Sequence, residues 1–437
     1  MDAADCKRLV YKYRWAMFAI LAVTYFFVYF HRMSVNALGT DMVADVGSGS
    51  KEYLSSIYFW TYALMQIPSG ILSDRLGPRK ASSIFLAIAT AGSFITMFGE
   101  SFLALAVGKV LIAAGMAVVY IPLMKIISVW FDKKDFPQLN GIVIAVGNVG
   151  ALAASAPLVY LAEAIGWRDV FLLLGIITMV LALLCFAFVR DHPKNIGMPG
   201  IEEIRAEETG VEDTDRSDGK VPVLSGIKTV FGSGRVFWTM ALAYFLVYGT
   251  IMVFQGTTSI MYFKSHVYGF ALAAWFVTMI GVGKIASTIL IGRLASRGFV
   301  RSKKKVMAFG TFVFMLVWAF IWLFAGDIDN QYVWFAVCGL FGFFGGFMTL
   351  SFSQVKEWFP ISISGTAISS MNVFLFLGAS VATTVAGMIL HNVYTLENYS
   401  TLWAVMFAAA AAAFVLVLLS KERKEGDDMI MPSEEGR

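Results

Sequence analysis

Twelve long apolar runs constrain the fold of this chain more than any other feature of its sequence. A run of about 20 apolar residues is long enough to cross the hydrocarbon core of a bilayer as an α-helix. We predict spans 1 to 12 at residues 15–38, 52–72, 81–99, 102–131, 140–163, 168–189, 236–263, 269–292, 305–325, 331–359, 364–391 and 399–420. The pattern therefore predicts an all-α membrane protein with twelve transmembrane helices.

The composition excludes several classes of protein. Of the 437 residues, 58% are hydrophobic and only 15% are charged, too few charges for the surface of a soluble domain of this size. The three cysteines and four histidines are scattered and lack the spacing of metal ligands. The sequence also contains no catalytic constellation. We therefore predict a protein that is not an enzyme and has no metal site and no cofactor.

The distribution of Lys and Arg predicts the orientation in the membrane. With the N-terminus inside, 27 of the 34 basic residues lie on the cytoplasmic side, four lie within spans, and only Lys51, Arg168 and Lys264 lie outside. Such an excess is the positive-inside pattern. We predict a multi-pass protein of the cell membrane, of the bacterial inner-membrane type, with both termini cytoplasmic. The positive charge is thus a topology signal and does not indicate a nucleic-acid partner.

One polar connection divides the chain into two groups of six spans. Residues 190–235 contain "GIEEIRAEETGVEDTDRSDGK", which is acidic and has no apolar periodicity. We predict an N-terminal six-helix bundle at 1–190, a cytoplasmic linker at 191–235 and a C-terminal six-helix bundle at 236–437.

The two halves resemble each other. "RWAMFAILAVTYFFVY" in span 1 matches "RVFWTMALAYFLVY" in span 7. "SVWFDKKDFPQLNGIVIAVGN" matches "KEWFPISISGTAISSMN", with Gly and Asn seven residues apart in both copies. "GILSDRLGPRK" after span 2 has a degraded copy, "GRLASRGFVRSKK", after span 8. Three matches in the same order indicate an internal duplication, a common plan among secondary transporters.

The stretch "GILSDRLGPRK" resembles the signature that the major facilitator superfamily carries between its second and third helices. The resemblance extends over essentially the whole chain. It implies a gating role on the cytoplasmic side for Gly70, Asp74, Arg75, Gly77 and Arg79. The alternative to a gating role for the basic residues is that they anchor the chain at the lipid headgroups.

The resemblance also implies a fold and a mechanism. It predicts two pseudo-symmetric six-helix bundles that alternate access to a central site, with H⁺, Na⁺ or a counter-anion as the coupling ion and with the chain as a monomer in the bilayer. "YFFVYFHRMSVNA" is similar to helix 1 of the organic-anion branches of this superfamily. "KVLIAAG", residues 109–115, resembles the helix 4 motif but has Lys where the family has Arg.

Span 1 carries a charged residue where a lipid-facing helix would have none. Tyr25, Tyr29, Arg32 and Asn36 fall on one helical stripe. The repeat places Tyr244, Tyr248, Ile251 and Gln255 on the matching stripe of span 7. A charge inside a membrane is expensive and usually faces a cavity. We therefore expect Arg32 to serve a polar site, the alternative being that it snorkels to the interface.

Lys284 in span 8 is the second cation expected in the site. The repeat aligns it with Tyr62 of span 2. Side chains lean toward the N-terminus of their helix, and spans 1 and 8 run in opposite directions, so Arg32 and Lys284 are predicted to converge. Lys125 is expected to lie at the interface or in the lower part of the cavity.

Carboxylates are missing from the middle of every predicted span; Glu163 lies near an outer end. Two cations without a countercharge favour an anionic substrate, bound through bidentate contacts if it carries carboxylate or phosphate. We predict a secondary transporter of a small organic anion; the alternatives are a substrate sensor and a proton-coupled drug or cation antiporter. The candidate binding residues are Arg32, Lys284, Tyr29, Tyr25, Asn36, Tyr62, Tyr248, Gln255, Tyr120, Lys125, Asn148 and Asn372.

Overall fold

The computed structural model describes residues 3–131, 135–197, 223–265, 269–296, 302–391, 393–423 and 426–431. The linker predicted at 191–235 therefore lies partly outside the described residues. Every regular element in the described part is helical. The first half contains α1 Ala3–Val46, α2 Lys51–Met97, α3 Phe102–Ala117, α4 Tyr120–Trp130, α5 Phe136–Ala153, α6 Ala156–Ile165 and α7 Trp167–Phe188.

The second half repeats the helical pattern. It contains α8 Val223–Gly232, α9 Arg235–Phe254, α10 Thr257–Ser265, α11 Phe270–Ser296, α12 Lys303–Phe324, α13 Gln331–Gly345, α14 Leu350–Lys356, α15 Ile361–Leu390 and α16 Leu396–Leu419. Ten helices of the described residues are long and apolar enough to cross a membrane, and an eleventh span results if α5 and α6, bent by 45°, count as one. Predicted span 2 lies in the part of α2 that precedes Gly77.

The predicted connection between spans 2 and 3 is almost entirely helical. Only Gly77, with φ 77° and ψ 158°, leaves the helical conformation, so α2 consists of two arms that meet at this residue. A positive φ is strained for a residue with a side chain, which explains why glycine occupies this position.

Two predicted spans are broken at prolines. Proline lacks an N–H, and its ring clashes with the carbonyl four residues earlier. For Pro122 that carbonyl belongs to residue 118, just after the end of α3. For Pro157 it belongs to Ala153, the last residue of α5. Span 10 is broken without proline: α13 ends at Gly345, and a 3₁₀ segment, Gly346–Thr349, precedes α14. Spans 4 and 10, which occupy the same place in the repeat, are thus both discontinuous.

The chain forms two compact units. The first comprises Met1–Ser34, Asp45–Gly47 and Leu64–Asp218, and the second comprises Val35–Ala44, Ser48–Ala63 and Gly219–Arg437. The second unit therefore includes the later part of α1 and the first turns of α2.

Each unit contains the same close helix crossing. A Cβ atom built on Gly150 of α5 would lie 2.2 Å from the carbonyl oxygen of Phe26 in α1, and one built on Gly378 of α15 would lie 2.0 Å from that of Phe245 in α9. Phe26 and Phe245 are equivalent residues in the alignment of spans 1 and 7. Glycine lets two membrane helices approach to backbone contact, and here it does so at corresponding places in both units.

Candidate functional site

In the first unit, Arg32 lies on the face of a tyrosine ring. Its guanidinium carbon is 4.3 Å from the centroid of the Tyr29 ring, one helical turn earlier in α1, and the Arg32 side chain is only 3% exposed. A cation over an aromatic face is attracted by the ring quadrupole, most strongly where water is excluded. The structure thus places Arg32 in the interior of the protein.

The tyrosines of α1 continue this cluster toward α4. Tyr25 contacts both Tyr29 and Tyr120, with centroid distances of 5.3 Å in each case, and the Tyr120 hydroxyl donates to Asn140 Oδ1 at 3.0 Å. Tyr120 is the first residue of α4, immediately after the break in span 4. Gly147 of α5 makes room for the rings, because a Cβ there would lie 2.9 Å from Tyr29.

In the second unit, Lys284 makes the equivalent contact. Its Nζ lies 5.2 Å from the centroid of the Tyr248 ring, and Tyr248 is the repeat partner of Tyr29. Tyr248 contacts Phe376 of α15 at 6.2 Å, and Phe376 contacts Tyr62 of α2 at 4.3 Å. Three predicted residues, Lys284, Tyr248 and Tyr62, are therefore connected, and Phe376 is the link that the sequence did not reveal.

The break in span 10 lies next to Lys284. A Cβ on Gly346 would lie 3.5 Å from the carbonyl oxygen of Lys284 and would overlap the hydroxyl of Ser287. Gly345 meets Ile251, the residue of α9 that replaces Arg32 in the repeat. Discontinuous helices at corresponding positions of the two halves are the common location of transporter sites. In this chain the break in span 10 lies next to Lys284, and the break in span 4 is linked to Tyr29 through Tyr120 and Tyr25.

The remaining polar candidates are placed individually. Asn36 is buried, and a Cβ on Gly256 would lie 3.6 Å from its Oδ1. Gln255, Asn148 and Asn372 are half-buried. Their role in binding stays a prediction.

Lys125 lies beside the signature stretch. Its Nζ donates to the carbonyl oxygen of Ser73 at 3.4 Å, near the end of the first arm of α2. A cation near the carbonyl end of a helix arm is favourably placed. The location of Lys125 at the interface or in the lower part of the cavity stays a prediction.

A buried polar cluster in the first unit consists of residues that are not among the candidate binding residues. Lys109 is fully buried; its Nζ donates to Ser34 Oγ at 3.3 Å and lies 4.5 Å from the centroid of the Phe171 ring. His31 Nε2 and Thr178 Oγ1 are 3.2 Å apart. The Lys that departs from the helix 4 motif therefore supports α1, which carries Arg32. The only sequence signal for this cluster is Lys109 itself, which stands where the family motif has Arg.

The signature turn is held by an acid at the end of α7. Asp191 Oδ1 accepts a hydrogen bond of 2.7 Å from the backbone N–H of Arg79, at the start of the second arm of α2. The Arg79 guanidinium donates to the carbonyl oxygen of Phe186 at 2.7 Å. A carboxylate at a helix N-terminus is a stabilising cap. Gly70 and Arg75 lie in the first arm, and the side chain of Asp74 lies outside the described part.

We expect Gly77→Ala to destabilise the protein more than an ordinary glycine substitution at positive φ. The added methyl would lie 2.5 Å from Asp191 Oδ2 and would displace the cap of Arg79. The strain of positive φ adds roughly 1–2 kcal/mol, and loss of the cap adds about 1 kcal/mol. The measurement is the thermal melting of purified variants in detergent.

Gly166→Ala is the matched control for this prediction. Gly166 has nearly the same backbone conformation as Gly77, with φ 84° and ψ 154°, but its added Cβ meets nothing within 4 Å. The control therefore carries the conformational strain without the collision. Equal melting temperatures for the two variants would contradict a structural role for the contact with Asp191.

Groups of His, Cys, Asp and Glu that could hold a metal ion are absent from the part of the chain that the structure describes. The candidate residues in each unit are a cation and the aromatic rings beside it. Such a cluster can bind an anion through charge and hydrogen bonds.

The chain is similar to a known protein family over most of its length. The family model described as Major Facilitator Superfamily matches residues 21–299 and, in a second match, residues 240–429. The "Probable hexose phosphate transport protein" of Chlamydia trachomatis is 23% identical over 430 residues, covering 93% of this chain and 91% of the relative.

Two further similarities concern a sensor and a solved structure. "Membrane sensor protein UhpC" of Escherichia coli is 24% identical over 417 residues, covering 93% of this chain and 92% of that protein. The crystal structure of a D-xylose-proton symporter superposes with a TM-score of 0.73 at 13% identity, covering 94% of this chain and 98% of the symporter. At that identity the last similarity concerns the fold alone.

Proposed function

Because this chain belongs to the Major Facilitator Superfamily, we propose that it is a secondary transporter of a small organic anion that carries a phosphate, carboxylate or sulfonate group. The two cations, Arg32 and Lys284, are the proposed anchors of the anionic group. The aromatic rings beside them are proposed to line the path of the organic part.

The observation that carries this proposal is the pairing of each cation with a tyrosine at the same position of the repeat. Arg32 lies over Tyr29 and Lys284 lies over Tyr248. A ring below a cation orients it through the ring quadrupole and leaves its net charge unchanged. Arg offers a planar pair of donors and Lys a compact point charge, which together suit a multivalent oxyanion.

The relatives support the choice of substrate class. A protein named as a probable hexose phosphate transport protein matches over nearly the full length of both chains. We therefore propose a sugar phosphate as the first compound to test, followed by sugar acids and sulfonates. The drug and cation antiporter alternative receives no comparable support from the cations of the site.

The proposed mechanism is alternating access. The substrate binds to one state of the protein, and the anion–cation contacts favour the conversion to the state open to the other side. A coupling ion, H⁺, Na⁺ or a counter-anion, would supply the driving force. We propose that both termini are cytoplasmic, in the inner membrane of a bacterium, on the distribution of basic residues.

A second candidate function is substrate sensing. The full-length similarity to a membrane sensor protein favours it specifically. A sensor needs the same anion site but does not need to release the ligand on the opposite side. Binding alone therefore does not separate the two functions, whereas uptake by purified protein does.

Ligand binding tests the anion proposal first. We expect glucose 6-phosphate, or another phosphorylated or acidic sugar in a matched panel, to raise the melting temperature of the purified protein, since a ligand that binds only the folded state stabilises it. The matched neutral sugars and organic cations should leave it unchanged. Stabilisation by cations but by no anion would overturn the proposal.

A further inference from the structure

A hydrogen bond in the first unit joins the break in span 4 to α5. Tyr120, the first residue of α4, donates through its hydroxyl to Asn140 Oδ1 at 3.0 Å. Asn140 lies near the start of α5 and is not among the candidate binding residues. Both side chains are half-buried. The bond therefore holds the hydroxyl end of the Tyr120 ring at a defined place on α5.

The same face of α5 also touches two tyrosines of α1. Gly147 comes seven residues after Asn140, so the two residues share one face of the helix. A Cβ built on Gly147 would lie 2.9 Å from the Tyr29 ring and 3.1 Å from the Tyr25 ring. Because residue 147 has no side chain, both rings can pack against the backbone of α5. This face of α5 thus supports the α1 rings at Gly147 and holds Tyr120 at Asn140.

Three tyrosine rings connect this hydrogen bond to Arg32. The centroids of the Tyr120 and Tyr25 rings are 5.3 Å apart with an interplanar angle of 34°, and those of Tyr25 and Tyr29 are 5.3 Å apart with an angle of 65°. Both distances lie in the range of attractive ring pairs, about 4.5–7 Å. Arg32 lies over the last of these rings, that of Tyr29. Because packed side chains move together, a displaced Tyr120 ring would displace the guanidinium.

Methionine takes the place of Tyr120 in the second half of the chain. The repeat aligns Trp130 with Trp358 and therefore Tyr120 with Met348. A thioether has no proton to donate, and Met348 Sδ instead accepts from the hydroxyl of Thr311 at 3.5 Å. Span 10 is nevertheless broken at this level by a 3₁₀ segment. The tyrosine hydroxyl is thus not needed to interrupt the helix, and it occurs in the half that contains Arg32.

We propose that Tyr120 and Asn140 are positioning residues that set the affinity of Arg32 for the anionic group of the substrate. Their hydrogen bond fixes the tyrosine rings, and the rings hold the guanidinium in the orientation that directs two of its donors at one oxyanion. Such a bidentate contact depends on geometry as well as on charge. The inference rests on the proposed function, in which Arg32 anchors the anion. Asn140 acts in it only through Tyr120.

A double-mutant cycle on anion affinity tests this inference. Tyr120→Phe removes the hydroxyl and keeps the ring, and Asn140→Leu removes the acceptor at nearly constant size. The probe is glucose 6-phosphate, replaced by another anion of the panel if that one binds more tightly. Each single variant should bind about fivefold more weakly, the factor that corresponds to one neutral hydrogen bond. The double variant should lose no more than either single one, because all three lack the same bond.

The dependence on Arg32 separates positioning from direct contact with the anion. In an Arg32→Ala background, Tyr120→Phe should leave the residual affinity unchanged, since there is no guanidinium left to hold. Tyr332→Phe, which removes the hydroxyl of a tyrosine that is 73% exposed, is the control and should bind as the parent does.

The possible outcomes distinguish this inference from the proposed function. Parent-like affinity in Tyr120→Phe and Asn140→Leu, additive losses in the double variant, or a loss that persists without Arg32 would overturn the positioning role while the proposed function stands. A lower melting temperature with unchanged affinity would likewise reduce the bond to a structural one. A parent that binds no anion of the panel would overturn the proposed function and this inference together.

Discussion

Arg32→Ala is expected to abolish anion uptake while the protein still folds and inserts. The guanidinium lies over Tyr29 in the interior, and we propose that it holds the anionic group of the substrate. A hydrogen bond to a charged group contributes about 1.5–3 kcal/mol, so affinity should fall about 10- to 150-fold even if no other contact changes. The measurement is ligand affinity and uptake on the same purified variant.

Two further variants distinguish charge from geometry at this position. Arg32→Lys keeps the charge but loses the planar pair of donors, and it should transport poorly if the contact is bidentate. Tyr29→Phe keeps the ring below the guanidinium and should retain most activity. Full uptake by Arg32→Ala would remove Arg32 from the site and leave it as an ordinary buried cation.

Lys284→Ala is expected to weaken anion binding by a similar factor, about 10- to 150-fold, for the same physical reason. Lys284 lies in α11 beside the break in span 10 and over Tyr248. Lys284→Met separates two explanations for the lysine: it binds the anion, or it is a buried charge that only lowers stability. If Lys284 binds the anion, Lys284→Met should bind weakly whatever its melting temperature.

The control for Lys284 is Lys228→Met. Lys228 is an exposed cation of α8 in the same unit, so its replacement removes one charge without touching the ring cluster. It should leave affinity and uptake unchanged. A Lys284→Met variant that melts at a higher temperature and transports at the parent rate would show that Lys284 destabilises the protein and does not bind the anion.

Much of the fold could be predicted because runs of high hydropathy identify membrane spans. The prediction of an all-α major facilitator fold is confirmed by the family match and by the likeness to a solved transporter. The relatives are transport and sensor proteins, which also agrees with the prediction that the chain is not an enzyme. The repeat was visible from three sequence matches in the same order. In the structure, the equivalent residues Phe26 and Phe245 each meet a glycine of a crossing helix.

The sequence contains signals for the helix breaks that the hydropathy-based spans do not include. Pro122 and Pro157 each exclude the carbonyl four residues earlier from a regular helix, which predicts the ends of α3 and α5. The pair Gly345–Gly346 gives a weaker signal for span 10. Hydropathy averages over such residues and therefore reports a continuous span where the backbone is interrupted.

The site was predicted only in part, because periodicity shows which residues share a face and does not show what they contact. The stripe of Tyr25, Tyr29 and Arg32 followed from helical spacing, and the equivalence of Lys284 and Tyr62 in the two halves followed from the repeat. Phe376 links Tyr62 to Tyr248 through the packing of α15, and no local pattern encodes that contact. The cap that Asp191 gives to Arg79 joins residues 112 positions apart and was equally invisible.

Uptake by purified protein in liposomes tests the central claim most directly. The protein is reconstituted, a labelled sugar phosphate is supplied outside, and accumulation is compared among the parent, Arg32→Ala, Lys284→Ala and Lys228→Met. The account predicts uptake by the parent and Lys228→Met, competition by unlabelled anions but not by the neutral sugar, and loss of uptake in the other two variants. Uptake of the neutral sugar or of an organic cation that is indifferent to both Arg32 and Lys284 would contradict it.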